Sequence, residues 1–259
     1  MIFDSHIHTM ASPDSDMNPE TAIDIMSKKN LGCIFTEHID YNPLGEPFFS
    51  VDFNVYPDDY IKYKTDTVRL GLELNLIPEC IEQNRCHAAH DALDYVIGSI
   101  HWVDGWDLFL AEEYYKQIGY KVYDRYLDYA TEMIKTNDFF DALGHIDYIS
   151  RYSPLPDKIV RYEKYSEAYD KLLITLIERE KLLEVNTKQF DDEEIRKNLF
   201  VIYSRYRELG GQYVTIGSDS HDEHRLGYKF DTALEMINKV GLTTVCFKER
   251  KMIECGISC

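Results

Sequence analysis

The chain has 259 residues, of which 44% are hydrophobic and 29% charged, as in an ordinary globular protein with a large buried core. Its formal net charge of −18 argues against non-specific binding to nucleic acid or to an anionic membrane, because both attract cationic surfaces. A phosphorylated substrate is still compatible, since bound cations can invert the field around a site. No apolar run could cross a bilayer and no signal peptide is recognisable, so we expect a cytoplasmic protein.

Short β-rich runs alternate with longer segments of helical periodicity, without a linker or an internal repeat. The seven candidate strands are residues 2–6, 32–36, 68–74, 95–100, 141–144, 182–186 and 213–217. Helices are predicted after the N-cap and proline at 18–20, and along apolar stripes at 123–134, 165–176 and 195–206. This alternation predicts a mainly parallel sheet in one domain, residues 1–259. A nearly closed (β/α) barrel is the first interpretation, and a doubly wound open sheet is the alternative.

Metal-ligating residue types follow nearly every candidate strand. They are Asp4-Ser5-His6-Ile7-His8, Glu37-His38, Glu73, His101, His145 and Asp219-Ser220-His221. In an α/β barrel the C-terminal ends of the strands share one face, so ligands that are scattered in sequence converge in space. His6 and His8 are two residues apart on a strand and can bind one cation from the same side. One such pair is weak support, and the prediction depends on the whole set.

The ligand types in this set are imidazole and carboxylate, without cysteine. They suit Zn²⁺, Mn²⁺ or Fe²⁺ and disfavour a structural thiolate zinc site. There are more ligands than one ion needs, and a carboxylate such as Glu73 can bridge two metals. We therefore expect two or three divalent ions per chain. His87, His90 and His224 do not follow strands, and we predict that they are surface residues.

The motifs as a set resemble the polymerase and histidinol phosphatase (PHP) superfamily. They are D-x-H-x-H-T near the start, then T-E-H, G-x-E, G-S-x-H, G-H-x-D and G-S-D-S-H. Within it, segments 96–101, 144–148 and 183–187 are most similar to the stand-alone L-histidinol-phosphate phosphatases. The resemblance covers almost the whole chain. It implies a distorted (β/α)7 barrel, hydrolysis of L-histidinol phosphate in histidine biosynthesis, and attack by a metal-bridging hydroxide.

The resemblance also implies roles for single residues. The metal ligands would be His6, His8, Glu73 and Asp219 for one ion, Glu73, His101 and His145 for a second, and His38, His221 and Asp14 for a third. Asp16 competes with Asp14 for the last position. Asp219 or His221 could protonate the leaving alkoxide. The residues expected to orient the ligand imidazoles are Glu37, Asp4 and Asp147.

Cationic side chains are expected to bind the phosphate. Arg151 and Lys188 follow the fifth and sixth candidate strands, at positions that resemble those of phosphate-binding arginines. Lys188 departs from the pattern, since lysine offers a point charge rather than a bidentate fork. Arg225, in the loop after His221, is a third candidate. Glu112 and Glu113 could face the ammonium of a small phosphorylated substrate.

Two alternatives stay open from the sequence. One is a PHP phosphoesterase that acts on a nucleotide, an oligonucleotide end or a phosphotyrosine. The other is a non-catalytic metal-binding module. Retention of the full ligand set argues against the second alternative, because degenerate domains are expected to lose ligands. Oligomeric state is not predictable from these motifs.

Overall fold

The computed structural model describes residues 1–256. The strands are β1 Phe3–Ile7, β2 Gly32–Tyr41, β3 Pro47–Ser50, β4 Val68–Asn75, β5 Tyr95–Ser99, β6 Trp102–Val103, β7 Trp106–Asp107, β8 Ala142–Leu143, β9 Leu182–Asn186, β10 Tyr213–Gly217, β11 Thr243–Lys248 and β12 Lys251–Glu254. The α-helices are α1 Pro19–Lys28, α2 Ile81–Ala88, α3 Glu112–Ile118, α4 Lys121–Thr136, α5 Tyr148–Tyr152, α6 Ser166–Glu178, α7 Glu193–Glu208 and α8 Phe230–Val240. No helix within this range is long and apolar enough to cross a membrane.

The seven predicted strands form the parallel core of the sheet, in the order β1-β2-β4-β5-β8-β9-β10. The end of β10, the last strand of this parallel core, comes back beside β1. Ile7 and Ser220 form a parallel bridge, and the backbone N–H of His8 donates to the carbonyl of Ser220 at 2.9 Å. The N–H of Asp219 likewise donates to the carbonyl of His6 at 2.8 Å. The predicted distorted (β/α)7 architecture is confirmed.

Several boundaries differ from the sequence prediction. The second strand continues to Tyr41, five residues beyond its predicted end at 36, and the fifth shrinks to Ala142–Leu143. The unpredicted strands are short edge elements or belong to hairpins: β3 pairs with β2, β6 with β7, and β12 with β11. Glu249 and Arg250 connect β11 to β12 with positive φ angles of 50° and 60°, as a tight hairpin turn requires.

The predicted helices are confirmed by their caps and buried faces. The side chain of Asn18 accepts hydrogen bonds from the N–H groups of Glu20 and Thr21 at the start of α1. The helix α4 buries one apolar face, and so does α6. The helix α7 ends at Glu208, just before the glycines at 210 and 211.

A small apolar cluster closes the end of the barrel where the strands begin. Phe3, Tyr95 and Ala142 from the parallel strands pack there with Val245 and Phe247 of β11. The rings of Tyr95 and Phe247 stack with centroids 5.2 Å apart. The candidate metal ligands lie at the opposite, C-terminal end of the strands.

Candidate metal centre

The carboxylate of Glu73 on β4 is the centre of the polar cluster. Five imidazole nitrogens surround its two oxygens. They are His6 Nε2 at 3.2 Å, His8 Nε2 at 3.3 Å and His38 Nδ1 at 3.1 Å from Oε2, and His101 Nε2 at 3.3 Å and His145 Nε2 at 2.7 Å from Oε1. Glu73 is 1% exposed. A buried carboxylate in this position can contribute an oxygen to more than one cation.

Asp14, His221 and Asp219 complete the set of nine candidate ligands. An Asp14 oxygen lies 2.8 Å from His221 Nε2 and 3.4 Å from His38 Nε2. Asp14 and Asp16 are both exposed, but only Asp14 contacts two of the candidate ligands, which favours it for the last position. Asp219 Oδ1 lies 3.8 Å from His8 Nε2. Side chains from three strands, β1, β2 and β4, and from the segments that follow β1, β5, β8 and β10 therefore converge, as the sequence predicted.

The cluster fits divalent cations by the chemistry of its own atoms. Buried polar atoms almost always have a hydrogen-bond partner. Four buried polar atoms that point into the cluster have no hydrogen-bond partner within residues 1–256: His6 Nε2, His8 Nε2, His38 Nδ1 and Glu73 Oε2. Ligand atoms lie within 4.8 Å of one another in four overlapping groups, which are His6-His8-Glu73, His38-Glu73-His101, His6-His145-Asp219 and His8-His38-His221. Imidazole with carboxylate is a donor set for Zn²⁺, Mn²⁺ or Fe²⁺.

Carboxylates and burial push the imidazole pKa values in opposite directions. Burial would lower the pKa of His38, but Glu73 and Asp14 outweigh it and raise the pKa to about 9. Burial is likewise outweighed at His101, where Asp40 and Glu73 raise the pKa to about 10. Burial prevails at His145 and lowers its pKa. Protons on the imidazoles whose pKa values are raised must leave before a cation can bind.

Two buried carboxylates orient ligand imidazoles, and neither was predicted from the sequence. Glu184 Oε1 on β9 accepts a hydrogen bond from His6 Nδ1 at 2.7 Å, and Asp40 Oδ2 on β2 accepts one from His101 Nδ1 at 2.6 Å. Glu184 also accepts from the backbone N–H of His145 at 2.7 Å. Each contact leaves the Nε2 of its imidazole directed at Glu73. Such partners fix the tautomer and orientation of a ligand.

The three residues expected to orient imidazoles contact other groups. Glu37 accepts hydrogen bonds from Thr9 and from the Ser12 hydroxyl, and Ser12 Oγ in turn lies 3.4 Å from His8 Nδ1. The carboxylate of Asp4 accepts from backbone N–H groups, among them that of Ser218 at 2.8 Å. Asp147 accepts from the Gln189 side chain at 2.7 Å. These carboxylates therefore bind neighbouring backbone and side-chain groups instead of the rings of the candidate ligands.

Gly217 is required by the close approach of Glu184 to His6. A Cβ at Gly217 would lie 2.3 Å from Glu184 Oε1 and 2.4 Å from His6 Cβ, closer than atoms can approach. The residue stands at the end of β10, directly before Ser218 and Asp219. The glycine in the G-S-D-S-H motif therefore makes room for the carboxylate behind the ligand.

A cavity of about 360 Å³ opens over the cluster. Its lining is Asp14, His38, Asp40, Phe48, Phe49, Glu73, His101, Asp107, Phe109, Leu110, His145, Tyr148, Arg151, Tyr152, Lys188, Asp219 and His221. Arg151 Nη1 donates to Asp219 Oδ2 at 2.5 Å, and Lys188 Nζ donates to the Asp219 carbonyl at 2.6 Å. Burial raises the pKa of Asp219, but these two cations outweigh it and hold that pKa well below its usual range.

Arg225, Glu112 and Glu113 do not line the cavity. The guanidinium of Arg225 donates to the carbonyl of Lys188 at 2.6 Å and lies over the ring of Tyr228, so it faces away from the candidate ligands. Glu112 and Glu113 pair with Lys116 on the outer face of α3.

The three histidines set aside in the sequence differ from one another in exposure. His224 is exposed, as expected. His87 and His90 are partly buried against the ring of Phe53, and His87 Nε2 also lies 2.7 Å from the hydroxyl of Tyr41. None of the three lies among the lining residues of the cavity.

The chain has relatives along its whole length. Residues 4–188 match the PHP domain family. A probable histidinol-phosphatase from Clostridium acetobutylicum is 41% identical and covers 97% of this chain and 99% of its own length. A histidinol-phosphatase from Lactococcus lactis is 27% identical over 92% of this chain and 91% of its own.

A solved structure has the same fold. It is the histidinol phosphate phosphatase of Lactococcus lactis in complex with zinc, L-histidinol and phosphate, with a TM-score of 0.85, 26% identity, and coverage of 97% of this chain and 98% of that one. The barrel and its cluster of imidazoles and carboxylates define a metal-dependent hydrolase class. The chain belongs to the PHP domain family, among relatives named histidinol-phosphatases.

Proposed function

We propose that the protein is a metal-dependent phosphomonoesterase that hydrolyses L-histidinol phosphate to L-histidinol and phosphate, as a single domain of residues 1–259. The observation that carries the proposal is the convergence of five imidazoles on Glu73 beneath a cavity that also presents Arg151. The identity of the ester comes from the relatives, whose names specify histidinol phosphate. Histidine biosynthesis is the pathway that this reaction serves.

Two or three divalent cations, Zn²⁺, Mn²⁺ or Fe²⁺, are part of the proposal. The residues that would hold them are His6, His8, Glu73 and Asp219 for one ion, Glu73, His101 and His145 for a second, and His38, His221 and Asp14 for a third. Bound there, divalent cations supply Lewis-acid charge to phosphoryl oxygens and activate the water that attacks phosphorus. The unpartnered nitrogens of His6, His8 and His38 support this assignment.

The remaining polar groups of the cavity would bind and orient the phosphate. Arg151 and Lys188 approach from the same side, next to Asp219, and their N–H groups suit phosphoryl oxygens. Asn186 Oδ1 accepts from Arg151 Nη2 at 3.0 Å and so fixes the plane of the guanidinium. Attack by water breaks the bond between phosphorus and the ester oxygen. His221 is the candidate to give the leaving alkoxide its proton, because Lys188 and Arg151 hold the pKa of Asp219 well below its usual range and leave that carboxylate without a proton.

Backbone strain at Asp219 supports a functional role for this residue. Its φ is 53°, in the left-handed region that non-glycine residues seldom adopt. The N–H of Asp219 bonds to β1 while its carboxylate contacts Arg151, so contacts on two sides hold the conformation. This arrangement places a ligand and two phosphate-binding cations at one strand end.

A phosphate-release screen with metal analysis tests the proposal. Protein purified without chelator should contain two or three transition-metal ions per chain and release phosphate from L-histidinol phosphate. Activity should disappear on chelation and return with Zn²⁺ or Mn²⁺. A nucleotide and a phosphotyrosine in the same screen test the alternative substrates. Full activity of a metal-free chain would refute the metal-dependent mechanism, and metal without activity would favour a non-catalytic module.

A further inference from the structure

The guanidinium of Arg69 is buried at the end of the barrel opposite the candidate metal centre. Arg69 lies near the start of β4, is 6% exposed, and places its guanidinium 4.0 Å from the ring centroid of Phe3. Within residues 1–256, its hydrogen-bond acceptors are the carbonyl of Phe247, 2.7 Å from Nη1, and the sulfur of Cys246, 3.2 Å from the same nitrogen. Its buried Nε has no acceptor in this range. Buried charges are normally paired, so this cation lacks an acidic partner.

The charged groups nearby do not supply that partner. The carboxylate of Asp66, shortly before β4, is exposed and pairs with Lys248 Nζ at 2.9 Å. The amino group of Met1 donates to the carbonyl of Gly256 at 3.0 Å and brings a further positive charge to the neighbourhood of Cys246. In the described part of the chain, the acidic group in contact with the guanidinium is therefore the thiol of Cys246.

A second thiol lies next to Cys246. In the hairpin of β11 and β12, Cys246 is opposite Ile253, and the backbone N–H of Cys255 donates to the carbonyl of Thr244 at 2.9 Å. Because residues two apart on a strand face the same way, the two cysteines are diagonal neighbours on one face of the hairpin. Both sulfurs lie against the carbonyl of Ile253, at 3.7 Å for Cys246 and 3.9 Å for Cys255. The pair is therefore placed for joining by oxidation.

The surroundings of Cys246 favour its thiolate. The hydrogen bond from Cys255 lowers the pKa of the Cys246 thiol, and the charge of Arg69 adds to this effect, so together they outweigh burial. The hydrogen bond to Cys246, together with burial, raises the pKa of Cys255, which keeps the proton. Cys33 on β2 is also buried but gains nothing from a cation, and burial raises its pKa to about 12. Contact with a guanidinium therefore distinguishes Cys246 from an inert buried thiol.

We propose that Cys246 and Cys255 are a peroxide-reactive thiol pair, in which Arg69 stabilises the sulfur of Cys246 as the attacking nucleophile. The pair lies at the closed end of the barrel and takes no part in the proposed phosphatase reaction. Cys246 is 2% exposed and is covered by the edge hairpin, so the oxidant must be as small as hydrogen peroxide. Cys255 is partly exposed and completes the reaction from the outer side.

The reaction has two steps. The Cys246 thiolate attacks one oxygen of hydrogen peroxide, so that an S–O bond forms, the O–O bond breaks and hydroxide leaves. The sulfur of Cys255 then attacks the sulfenic sulfur of Cys246. An S–S bond forms, the S–O bond breaks, and the leaving hydroxide takes the thiol proton as water. The two thiols lose two electrons, which reduce the peroxide, and an added thiol reductant regenerates the pair.

Peptide mapping of the oxidised protein tests which thiols react. The reduced full chain is treated with hydrogen peroxide, unfolded, alkylated and cut with trypsin, which cleaves at the basic residues between the two cysteines. Mass spectrometry should find the peptides of Cys246 and Cys255 joined, with two hydrogens lost, and Cys33 and Cys86 alkylated. Cys33 controls for a buried thiol and Cys86 for an exposed one. A disulfide from Cys246 to Cys259, or faster oxidation of Cys86 than of Cys246, would overturn the assignment.

The variant Arg69→Met tests the role of the guanidinium. Methionine keeps apolar volume and removes the charge, so disulfide formation at about pH 7 should slow roughly tenfold, as for a pKa raised by about one unit. The rate should largely recover at about pH 9.5, where the thiol ionises without help, whereas a folding defect would persist. Arg69→Lys keeps the charge and should stay within about threefold of wild type. Arg207→Met, on the exposed side of α7, is the matched control. Equal rates for Arg69→Met and wild type, or a deficit that high pH does not reduce, would refute this role.

The order of the two steps is tested by removing one thiol at a time. In Cys255→Ser the first step should still occur and leave a sulfenic acid at Cys246, which dimedone traps. In Cys246→Ser we expect dimedone labelling of Cys255 to be at least about tenfold slower, because its thiol keeps the proton. Equal labelling of the two variants, or faster labelling of Cys255, would show that Cys246 is not the attacking thiol.

Discussion

Replacing Glu184 by glutamine should weaken metal binding, although residue 184 is not itself one of the candidate ligands. The carboxylate receives a hydrogen bond from His6 Nδ1 at 2.7 Å, another from the backbone N–H of His145 at 2.7 Å, and a third from Asn186 Nδ2 at 3.1 Å. Glutamine has one acceptor oxygen, so its amide N–H₂ must face either His6 or the backbone of His145. Either choice loses a charge-assisted hydrogen bond, worth about 1.5–3 kcal/mol.

This loss of free energy corresponds to a metal affinity reduced roughly 10- to 100-fold, the range observed when the partner of a ligand imidazole is removed. Competition with a chromophoric chelator measures the affinity, and Glu178→Gln, on the exposed side of α6, is the matched control. Because residue 184 touches no substrate atom, kcat should largely recover at saturating metal. Wild-type affinity in Glu184→Gln would refute the positioning role, and a kcat loss that metal does not restore would place Glu184 in the chemistry itself.

Three further predictions concern the central carboxylate, the phosphate site and pH. Glu73→Gln should lower kcat more than Asp14→Asn does, because Glu73 faces five imidazoles and Asp14 faces two; equal kinetics of Glu73→Gln and wild type would exclude the bridge. Arg151→Ala should mainly raise KM for a phosphate monoester, because the lost interaction is worth about 1.5–3 kcal/mol of binding free energy. Some loss of kcat should accompany it, because Asp219 loses its partner. Arg161→Ala, on the surface, is the control. Zn²⁺ affinity measured by equilibrium dialysis should fall more than about tenfold from pH 8 to pH 6, since the imidazoles with raised pKa values carry protons throughout this range and the metal must displace them against a rising proton concentration; affinity independent of pH would contradict proton release.

The convergence of the candidate ligands was predictable from the sequence because two simple rules apply to them. Parallel strands end on one face of a barrel, and residues two apart on a strand face the same way. These rules placed His6, His8 and the later single ligands without knowledge of any loop. Phosphate contacts were less predictable, since Arg151 and Arg225 both lie in connections between strands and helices. Only Arg151 turns into the cavity, and the direction of a long side chain depends on packing that sequence periodicity does not describe.

The orienting carboxylates were missed for two different reasons. The prediction ended β2 at residue 36, whereas the strand continues to Tyr41. With the longer strand, the alternation rule places Asp40 on the same side as His38, next to the cluster. The role of Glu184 was not predicted because this residue lies within a strand, between Leu183 and Val185, whereas the prediction considered residues at strand ends. An acid in the middle of a buried strand needs a partner, and this requirement was the available signal.

Net charge bears on the binding of large polyanions, but it does not describe the site. The chain carries 46 acidic and 28 basic residues, so an extended polyanion meets repulsion over most of its surface. A small ester samples only the cavity, where the local groups decide. There Arg151 and Lys188 adjoin the carboxylate of Asp219 and offer N–H groups to an anion. The local charge of these two side chains therefore explains how the cavity can attract a phosphate group although the net charge of the chain is −18.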